Sequence, residues 1–395
     1  MEHYCVQCGL TFPHDFHALC AACGGLVDVR YDPRRVQLHD SPNPYERFSG
    51  LLPIQDPVDR LPTSGAYSPL VHSLGLGRWL RMPALYLKDE TVHPTGTTKD
   101  RMAAVSLAYL WERGVREFCT SSTGNSSTAY AHAITAHPGM RVNVFTAEDF
   151  VSRVGGATGV QVVHHCLRDA SFVDAFDFAN VYAQRNHLVS ERGFFNVGRR
   201  EGLKLAFLEA CDQAPGPIDW YFQATSSAMG VWGTDKGARE LLQLKKISRR
   251  PRLVCAQQES CAPMVRAAEE GSAAIQPRHI VAKPRGIAEA ILRGDPSRTY
   301  PYIRRIVLES NGRFLSVNES EIREARGIVE ELEGLSPCFA SSTAVAALIK
   351  WVRQGDFPGQ ETVMINLTGR DREAQELSPQ ALWYVRRNGD WVREG

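Results

Sequence analysis

The stretch LYLKDETVHPTGTTKDR, residues 85–101, runs from an apolar segment through a loop into the start of a predicted helix. Leu85–Leu87 is typical of a short buried strand, and apolar residues recur at helical spacing over residues 103–111. Lys99 therefore lies at a helix N-terminus, whose positive end favours the neutral amine. A neutral amine is what a Schiff base requires. The alternative is an exposed surface lysine.

Strand-like and helix-like segments alternate on both sides of this stretch. We predict strands near 115–119, 142–145, 160–163, 218–222, 253–256, 306–308 and 362–367, and helices near 126–135, 232–244, 319–332 and 343–352. Such alternation indicates parallel α/β sheets with helices on both faces. Near the C-terminus, Asn388-Gly389 between two apolar runs predicts a hairpin with a type I′ turn.

Three further polar loops follow predicted strands, where α/β sheets bind their ligands. Residues 121–127, SSTGNSS, offer hydroxyls, an amide and backbone N–H groups to a carboxylate, or else form only a helix cap. Residues 223–230, QATSSAMG, contain small side chains that let backbone N–H groups approach a phosphate. Residues 366–369, NLTG, add a hydroxyl. The first βαβ unit carries no glycine fingerprint for a dinucleotide.

Four cysteines near the N-terminus form two CxxC pairs, Cys5–Cys8 and Cys20–Cys23. Their spacing is typical of a zinc ribbon. Because all four ligands come from the protein, we expect a structural zinc with no open position for catalysis. A ribbon that has lost its metal and a pair of disulfides are the alternatives. The other six cysteines are scattered singly, and we expect them to be reduced and mostly buried.

The composition excludes several classes of protein. Among 395 residues, 45 Lys and Arg balance 44 Asp and Glu, so the chain has no broad electrostatic footprint for nucleic acid or an anionic membrane. No apolar run approaches the ~18 residues of a membrane span. The N-terminus lacks the pattern of a signal peptide. We therefore expect a cytoplasmic protein with no nucleic-acid or membrane partner.

Taken together and in this order, the segments resemble the fold-type II pyridoxal-phosphate enzymes, in particular threonine synthases and cysteate synthases. The similar segments are SPL at 68–70, the opening stretch at 85–101, SSTGNSSTA at 121–129, LEGLSPCFASSTAVAAL at 332–348, and NLTG. The resemblance implies a two-domain α/β fold like that of tryptophan synthase β, preceded by the zinc ribbon. The domains expected are a ribbon at 1–35, a large cofactor-binding domain at 36–98 and 206–395, and a small domain at 99–205.

The resemblance also implies roles for individual residues. Lys99 would hold pyridoxal phosphate as a Schiff base, and Asn125 would bond to the 3′-oxygen of that cofactor. The substrate carboxylate would bind Ser122, Thr123 and Ser126. The cofactor phosphate would lie in the loop formed by Ser226, Ser227, Ala228, Met229 and Gly230. Thr368 would face the pyridine nitrogen, and a hydroxyl there suits elimination and replacement better than transamination.

The sequence departs from threonine synthases in two places. Thr98 stands where an aromatic residue is usual, and the phosphate loop has one glycine only. The segments YFQATSSAMG, FFNVGRREGL and AQQESCAPM look more like cysteate synthase. These departures favour an enzyme that performs β-replacement on an O-phosphoserine-like amino acid.

Two other functions stay open at this point. The first is a threonine synthase acting on O-phosphohomoserine. The second is an inactive cofactor-binding scaffold whose ribbon binds a protein partner. For the enzyme we expect an amino-acid substrate and a homo-oligomer, specifically a dimer. A leaving phosphate needs positive partners, and the candidates are Lys88, Arg101, Arg199, Arg200 and Arg285.

Overall fold

A computed structural model describes residues 1–13, 15–55, 60–63, 65–156, 159–376 and 378–394. The chain divides into two compact units. Unit 1 comprises residues 1–66, 99–202 and 372–395, and unit 2 comprises residues 67–98 and 203–371. Each unit contains a six-stranded sheet.

The secondary structure alternates along most of the chain. The strands are β1 Glu2–Cys5, β2 Thr11–Phe12, β3 Val27–Arg30, β4 Leu70–His72, β5 Leu85–Asp89, β6 Glu117–Ser121, β7 Arg141–Ala147, β8 Val162–Leu167, β9 Val189–Ser190, β10 Trp220–Ala224, β11 Arg252–Gln258, β12 Arg313–Val317, β13 Val363–Leu367, β14 Leu382–Arg387 and β15 Asp390–Arg393. The α-helices are α1 Pro44–Arg47, α2 Leu74–Leu80, α3 Lys99–Glu112, α4 Asn125–Ala133, α5 Phe172–Arg185, α6 Val197–Gln213, α7 Met229–Gln243, α8 Pro263–Glu269, α9 Tyr300–Glu309, α10 Glu319–Glu333 and α11 Phe339–Arg353. Within the described ranges, no helix has both the length and the apolar composition needed to cross a membrane.

Unit 1 contains two sheets. A small antiparallel sheet has the strand order β2-β1-β3, and the larger sheet has the order β15-β14-β8-β7-β6-β9. The larger sheet is parallel except for β15, which pairs antiparallel with β14. Phe145 of β7, Phe178 of α5 and Tyr384 of β14 share a buried cluster. The apolar face of α5 therefore closes one side of this sheet.

Unit 2 is built on a sheet with the order β12-β11-β10-β13-β5-β4. The strands are parallel except for β4 at one edge. Every residue of β13 is buried, as expected for a central parallel strand covered on both faces. Because β5, β10 and β13 run in the same direction, the loops that follow them lie at one edge of the sheet. That edge carries residues 90–98, 225–228 and 368–371.

Two local predictions can be checked directly. The C-terminal hairpin is confirmed: Asn388 and Gly389 have φ angles of 50° and 88°, as a type I′ turn requires. The strand predicted at 306–308 is wrong, because these residues lie in α9. Tyr300, Ile303 and Val307 are buried at helical spacing. The short β-branched run is typical of a strand, although the buried residues around it repeat at helical spacing.

The compact units and the predicted domains are divided differently: residues 1–35 belong to unit 1, residues 203–205 belong to unit 2, and two longer segments also differ. Residues 36–66 and 372–395 belong to unit 1, with residues 99–202, rather than to the large domain. At the C-terminus the physical reason is strand pairing, because β14 pairs with β8 through Leu382 and His165. A lone two-stranded hairpin is only marginally stable in water, so it gains stability by joining an existing sheet edge. The predicted boundaries stay a proposal about domains.

Candidate functional site

Lys99 is the first residue of α3. Its side chain keeps some contact with solvent, but the surrounding protein desolvates the amine. Burial, helped by the positive charge of Arg199, lowers the pKa of Lys99 to about 8. About one amine in ten is then neutral at pH 7, against about one in several thousand for an ordinary lysine. Lys99 is therefore suited to attack an aldehyde.

The residues just before Lys99 are paired with the segment that follows β13. The backbone N–H of Thr98 donates to the carbonyl of Thr368 at 2.9 Å, and Thr97 bridges to Gly369. Thr98 Oγ1 is buried and has no hydrogen-bond partner among the described residues. Within unit 2, Thr368, the predicted partner of the ring nitrogen, therefore lies next to Thr98, the residue that precedes Lys99. Thr98 also carries the unsatisfied hydroxyl.

Ser341 orients this segment, and the sequence analysis did not single it out. Its Oγ lies 3.2 Å from Thr368 Oγ1 and 2.8 Å from the carbonyl oxygen of Gly369. It also accepts the Gly369 N–H at 2.9 Å. Ser341 lies in the first turn of α11, within the segment at 332–348 already noted for its resemblance. The signal available in the sequence was a hydroxyl side chain near the start of a helix. Its position opposite the NLTG loop is seen only in the structure.

The predicted phosphate loop connects β10 to α7. Ala228 adopts a left-handed conformation with φ 58°, directly before the first helical residue, Met229. The backbone N–H groups of Ser226 and Ser227 make no hydrogen bond within the described part of the chain. A Cβ on Gly230 would lie 2.6 Å from the Gln223 side-chain amide, so a larger residue there would have to displace that amide. Unsatisfied N–H groups at a helix N-terminus fit a phosphate.

In unit 1, the loop Ser122–Gly124 joins β6 to α4. Ser122 Oγ accepts the N–H of Gly124 at 3.1 Å and of Ser127 at 3.3 Å, so this hydroxyl also caps the helix. Gly124 has φ 129°, where side chains are rare. Around the loop, Ser121 Oγ and Ser127 Oγ are buried without a partner among the described residues. These unsatisfied hydroxyls fit a polar ligand beside Thr123 and the start of α4.

Arg199 connects this loop to Lys99. It is buried and forms an ion pair with Glu191. Its Nε donates to the Tyr130 hydroxyl at 3.1 Å, and its Nη1 donates to Ser126 Oγ at 3.4 Å. The guanidinium is thus committed within unit 1, where it orients Ser126 and lowers the pKa of Lys99.

Most of the other candidate cations for the leaving phosphate already bind groups of the protein or lie at the surface. Lys88 is buried in an ion pair with Glu209 at 2.7 Å. Arg200 is buried against Asp28 and backbone carbonyls. Arg101 is fully buried and Arg285 is exposed.

Arg372 is a cation that the sequence analysis missed. Its Nη2 donates to Asn125 Oδ1 at 2.7 Å. The only signal in the sequence was a basic residue shortly after the NLTG loop. Arg372 and Asn125 are 247 positions apart, so no local pattern could have paired them.

The four N-terminal cysteines converge on one point. Their sulfur atoms all lie within 4.8 Å of one another, with 3.5 Å between Cys5 and Cys23 and 3.7 Å between Cys8 and Cys20. A tetrahedral zinc with ~2.3 Å bonds would place sulfurs about 3.8 Å apart. All four cysteines are free, and these distances far exceed the ~2.05 Å of a disulfide. The cluster could therefore bind a metal ion such as zinc.

Metal analysis tests this site. Protein purified without added zinc should contain about one equivalent per chain, and Cys8→Ser should lower both this content and the thermal midpoint, because a structural metal contributes folding free energy. Cys211→Ser removes a thiol outside the cluster and should leave the metal content unchanged. Metal-free wild-type protein with Cys5, Cys8, Cys20 and Cys23 in disulfides would contradict the assignment.

Comparison with known proteins agrees with this geometry. Residues 62–369 match the family described as Pyridoxal-phosphate dependent enzyme. The chain is 29% identical over 378 residues to a threonine synthase of Methanosarcina acetivorans, covering 92% of this chain and 90% of that protein. It is 25% identical over 382 residues to a cysteate synthase of Methanosarcina barkeri, with 92% and 90% covered.

A solved structure of maize serine racemase superimposes with a TM-score of 0.65 at 18% identity, covering 78% of this chain and 88% of that chain. At that identity the match shows the fold alone. Within unit 2, the unsatisfied N–H groups at the start of α7 fit a phosphate. Within unit 1, the amine of Lys99 has a lowered pKa, which suits it to react with an aldehyde. This chain belongs to the pyridoxal-phosphate dependent enzymes, as a threonine synthase- and cysteate synthase-like member with the two-domain α/β fold of type II and pyridoxal phosphate as its cofactor.

Proposed function

We propose that this enzyme catalyses β-replacement on an O-phosphoserine-like amino acid, releasing phosphate and adding a nucleophile. The observation that carries the type of reaction is that the side chain of Thr368 is a hydroxyl, in a residue whose backbone carbonyl accepts the N–H of Thr98, directly before Lys99. A hydroxyl, unlike a carboxylate, does not force the pyridine nitrogen to stay protonated. The weaker electron sink that results suits reactions in which a leaving group accepts the electrons.

The choice of substrate is supported by similarity to cysteate synthases. Besides the protein of Methanosarcina barkeri, five further cysteate synthases are 24–28% identical to this chain. The segments YFQATSSAMG and FFNVGRREGL, which look like that branch, contain the phosphate loop and Arg199. Threonine synthases match at similar identity, so O-phosphohomoserine is the second candidate substrate.

Several groups of this chain would hold the cofactor. Lys99 would bind its aldehyde carbon, Asn125 its 3′-oxygen and Thr368 its ring nitrogen. The loop from Ser226 to Gly230 would hold its phosphate through backbone N–H groups. When bound, pyridoxal phosphate withdraws electrons from the amino acid and so acidifies the Cα proton.

The remaining steps belong to the protein. Ser122, Thr123 and Ser126 would bind the substrate carboxylate, with Ser126 oriented by Arg199. The amine of Lys99 would take the proton from Cα. Phosphate would leave Cβ with the electron pair of the Cβ–O bond, a nucleophile would add to Cβ, and Lys99 would return the proton to Cα.

Discrimination between the two substrates follows from their length. The phosphate of O-phosphohomoserine lies one carbon further out, and its elimination needs a second proton removal, at Cβ. A phosphate pocket misplaced by ~1.5 Å loses charge-assisted hydrogen bonds worth roughly 1.5–3 kcal/mol each. Each lost bond costs at least about tenfold in rate. One site is therefore expected to favour one substrate strongly.

Phosphate release measures this preference. The holoenzyme should release phosphate from O-phosphoserine at least about tenfold faster than from O-phosphohomoserine, and a small nucleophile such as sulfite should convert the product into a replaced amino acid. Faster conversion of O-phosphohomoserine to threonine would reverse the assignment. Release from neither substrate would contradict both, while a retained cofactor without any turnover would favour the inactive scaffold.

A further inference from the structure

Arg372 contacts the residue that is expected to bind the cofactor oxygen. Its Nη2 donates to Asn125 Oδ1 at 2.7 Å and lies 3.3 Å from the carbonyl oxygen of Arg153. Asn125 is the first residue of α4, directly after the loop that ends at Gly124. The guanidinium therefore lies at the start of this helix, beside the proposed cofactor contact.

Backbone contacts hold the segment of Arg372 in place. The N–H of Gln375 donates to the carbonyl of Ser152 at 2.7 Å. The hydroxyl of Thr128 accepts the Gly155 N–H at 3.0 Å and donates to the carbonyl of Gly124 at 2.9 Å. Residues 372–375 are thus tied to residues 152–155, and these in turn to the first turn of α4. The bond between Arg372 and Asn125 is part of a connected arrangement within unit 1.

The bond determines which way the Asn125 amide faces. A side-chain amide has an oxygen that accepts and a nitrogen that donates, and the two have almost the same shape. A guanidinium can only donate, so it selects the amide oxygen. With Oδ1 bonded to Arg372, Nδ2 is the atom of this amide that can donate to another acceptor. The phenolic 3′-oxygen of pyridoxal phosphate is an acceptor when ionised.

We infer that Arg372 is a positioning residue that fixes the Asn125 amide so that Nδ2 donates to the 3′-oxygen of the bound cofactor. The inference rests on the proposed role of Asn125 in the cofactor site. It does not depend on which phosphorylated amino acid is the substrate.

Four variants of the full chain test the inference. Arg372→Met removes the donor and its charge while keeping much of the length, and Arg372→Lys keeps both. Asn125→Ala removes the proposed target, and Asn125→Ala/Arg372→Met combines the two changes. Arg387→Met, at an exposed position of the C-terminal hairpin, is a matched control for the loss of one charge. The readouts are the dissociation constant of pyridoxal phosphate and the visible spectrum of the holoenzyme.

Arg372→Met should weaken cofactor binding about tenfold or more, the scale of one charged hydrogen bond, and should change the ratio of the visible bands. Arg372→Lys should restore most of both properties, and Arg387→Met should match the wild type. In the Asn125→Ala background, Arg372→Met should add little, because a residue that acts through another loses its effect with it.

Distinct outcomes separate the possible failures. A normal dissociation constant and spectrum in Arg372→Met, with a clear defect in Asn125→Ala, would overturn the role of Arg372 alone. An unaltered Asn125→Ala enzyme would overturn the proposed cofactor contact itself. A full additional loss in the double variant would mean that Arg372 acts independently of Asn125. Far-UV circular dichroism distinguishes each result from misfolding.

Discussion

Replacing Lys99 by alanine should abolish the covalent attachment of pyridoxal phosphate and lower turnover by about a thousandfold. The bound cofactor should then show the spectrum of the free aldehyde and be lost on dialysis. The reason is that the amine both forms the Schiff base and moves the Cα proton. Lys245→Ala, at an exposed position, is the control and should behave like the wild type. An unchanged visible spectrum in Lys99→Ala would contradict the assignment of Lys99 as the residue that binds the cofactor.

The same residue predicts a pH dependence. Only the neutral amine attacks the aldehyde, and the pKa of Lys99 is lowered to about 8 by burial and by Arg199. Incorporation of pyridoxal phosphate into the apoprotein should therefore accelerate as the pH rises through about 8, rather than through the ~10.4 of a solvated lysine. Arg199→Met should move this midpoint upward, because it removes a positive charge that opposes protonation of Lys99.

Glu209→Ala should lower the free energy of unfolding by about 3–5 kcal/mol, because it leaves the Lys88 ammonium buried without its carboxylate. Besides Glu209, this amine contacts the Ser68 carbonyl oxygen at 2.6 Å, and Ser68 Oγ also contacts Glu209 at 3.2 Å. Lys88 lies on β5, the strand that leads to the Lys99 loop. Loss of the carboxylate is therefore expected to destabilise the part of unit 2 that precedes the Lys99 loop.

Two control variants show how the stability of Glu209→Ala is to be interpreted. Glu324→Ala breaks an exposed ion pair with Arg353 and should cost about 0–1 kcal/mol. Lys88→Met combined with Glu209→Leu removes both charges and should recover most of the lost stability, because no unpaired charge is left buried. The measurement is denaturant-induced unfolding of all three proteins. A Glu209→Ala protein as stable as the Glu324→Ala protein would show that the buried pair contributes little.

The sequence predicted those features that depend on local pattern. The alternation of strand-like and helix-like segments indicated parallel sheets with helices on both faces. The structure agrees, since every residue of the central strand β13 is buried. The paired CxxC motifs indicated four converging sulfurs, which the structure brings within 4.8 Å. Short β-branched runs are ambiguous between strand and helix, and residues 306–308 were assigned to the wrong type for that reason.

Long-range contacts could not be predicted from local sequence pattern. The resemblance identified Lys99, Asn125 and Thr368 as candidates, but it could not tell which charged residues orient them. Arg199 looked like a phosphate ligand, yet its ion pair with Glu191 commits it inside unit 1. Arg372 reaches Asn125 only because the segment after β13 is tied to residues 152–155.

Reduction of the holoenzyme with borohydride, followed by peptide mass spectrometry, identifies the lysine that holds the cofactor. Borohydride makes the Schiff base permanent, so the pyridoxyl group stays on the lysine that held it. We expect one modified peptide, containing Lys99, and no label on that peptide in the protein without reduction. A pyridoxyl group on another lysine, or a visible spectrum that survives reduction with no modified peptide, would contradict this expectation.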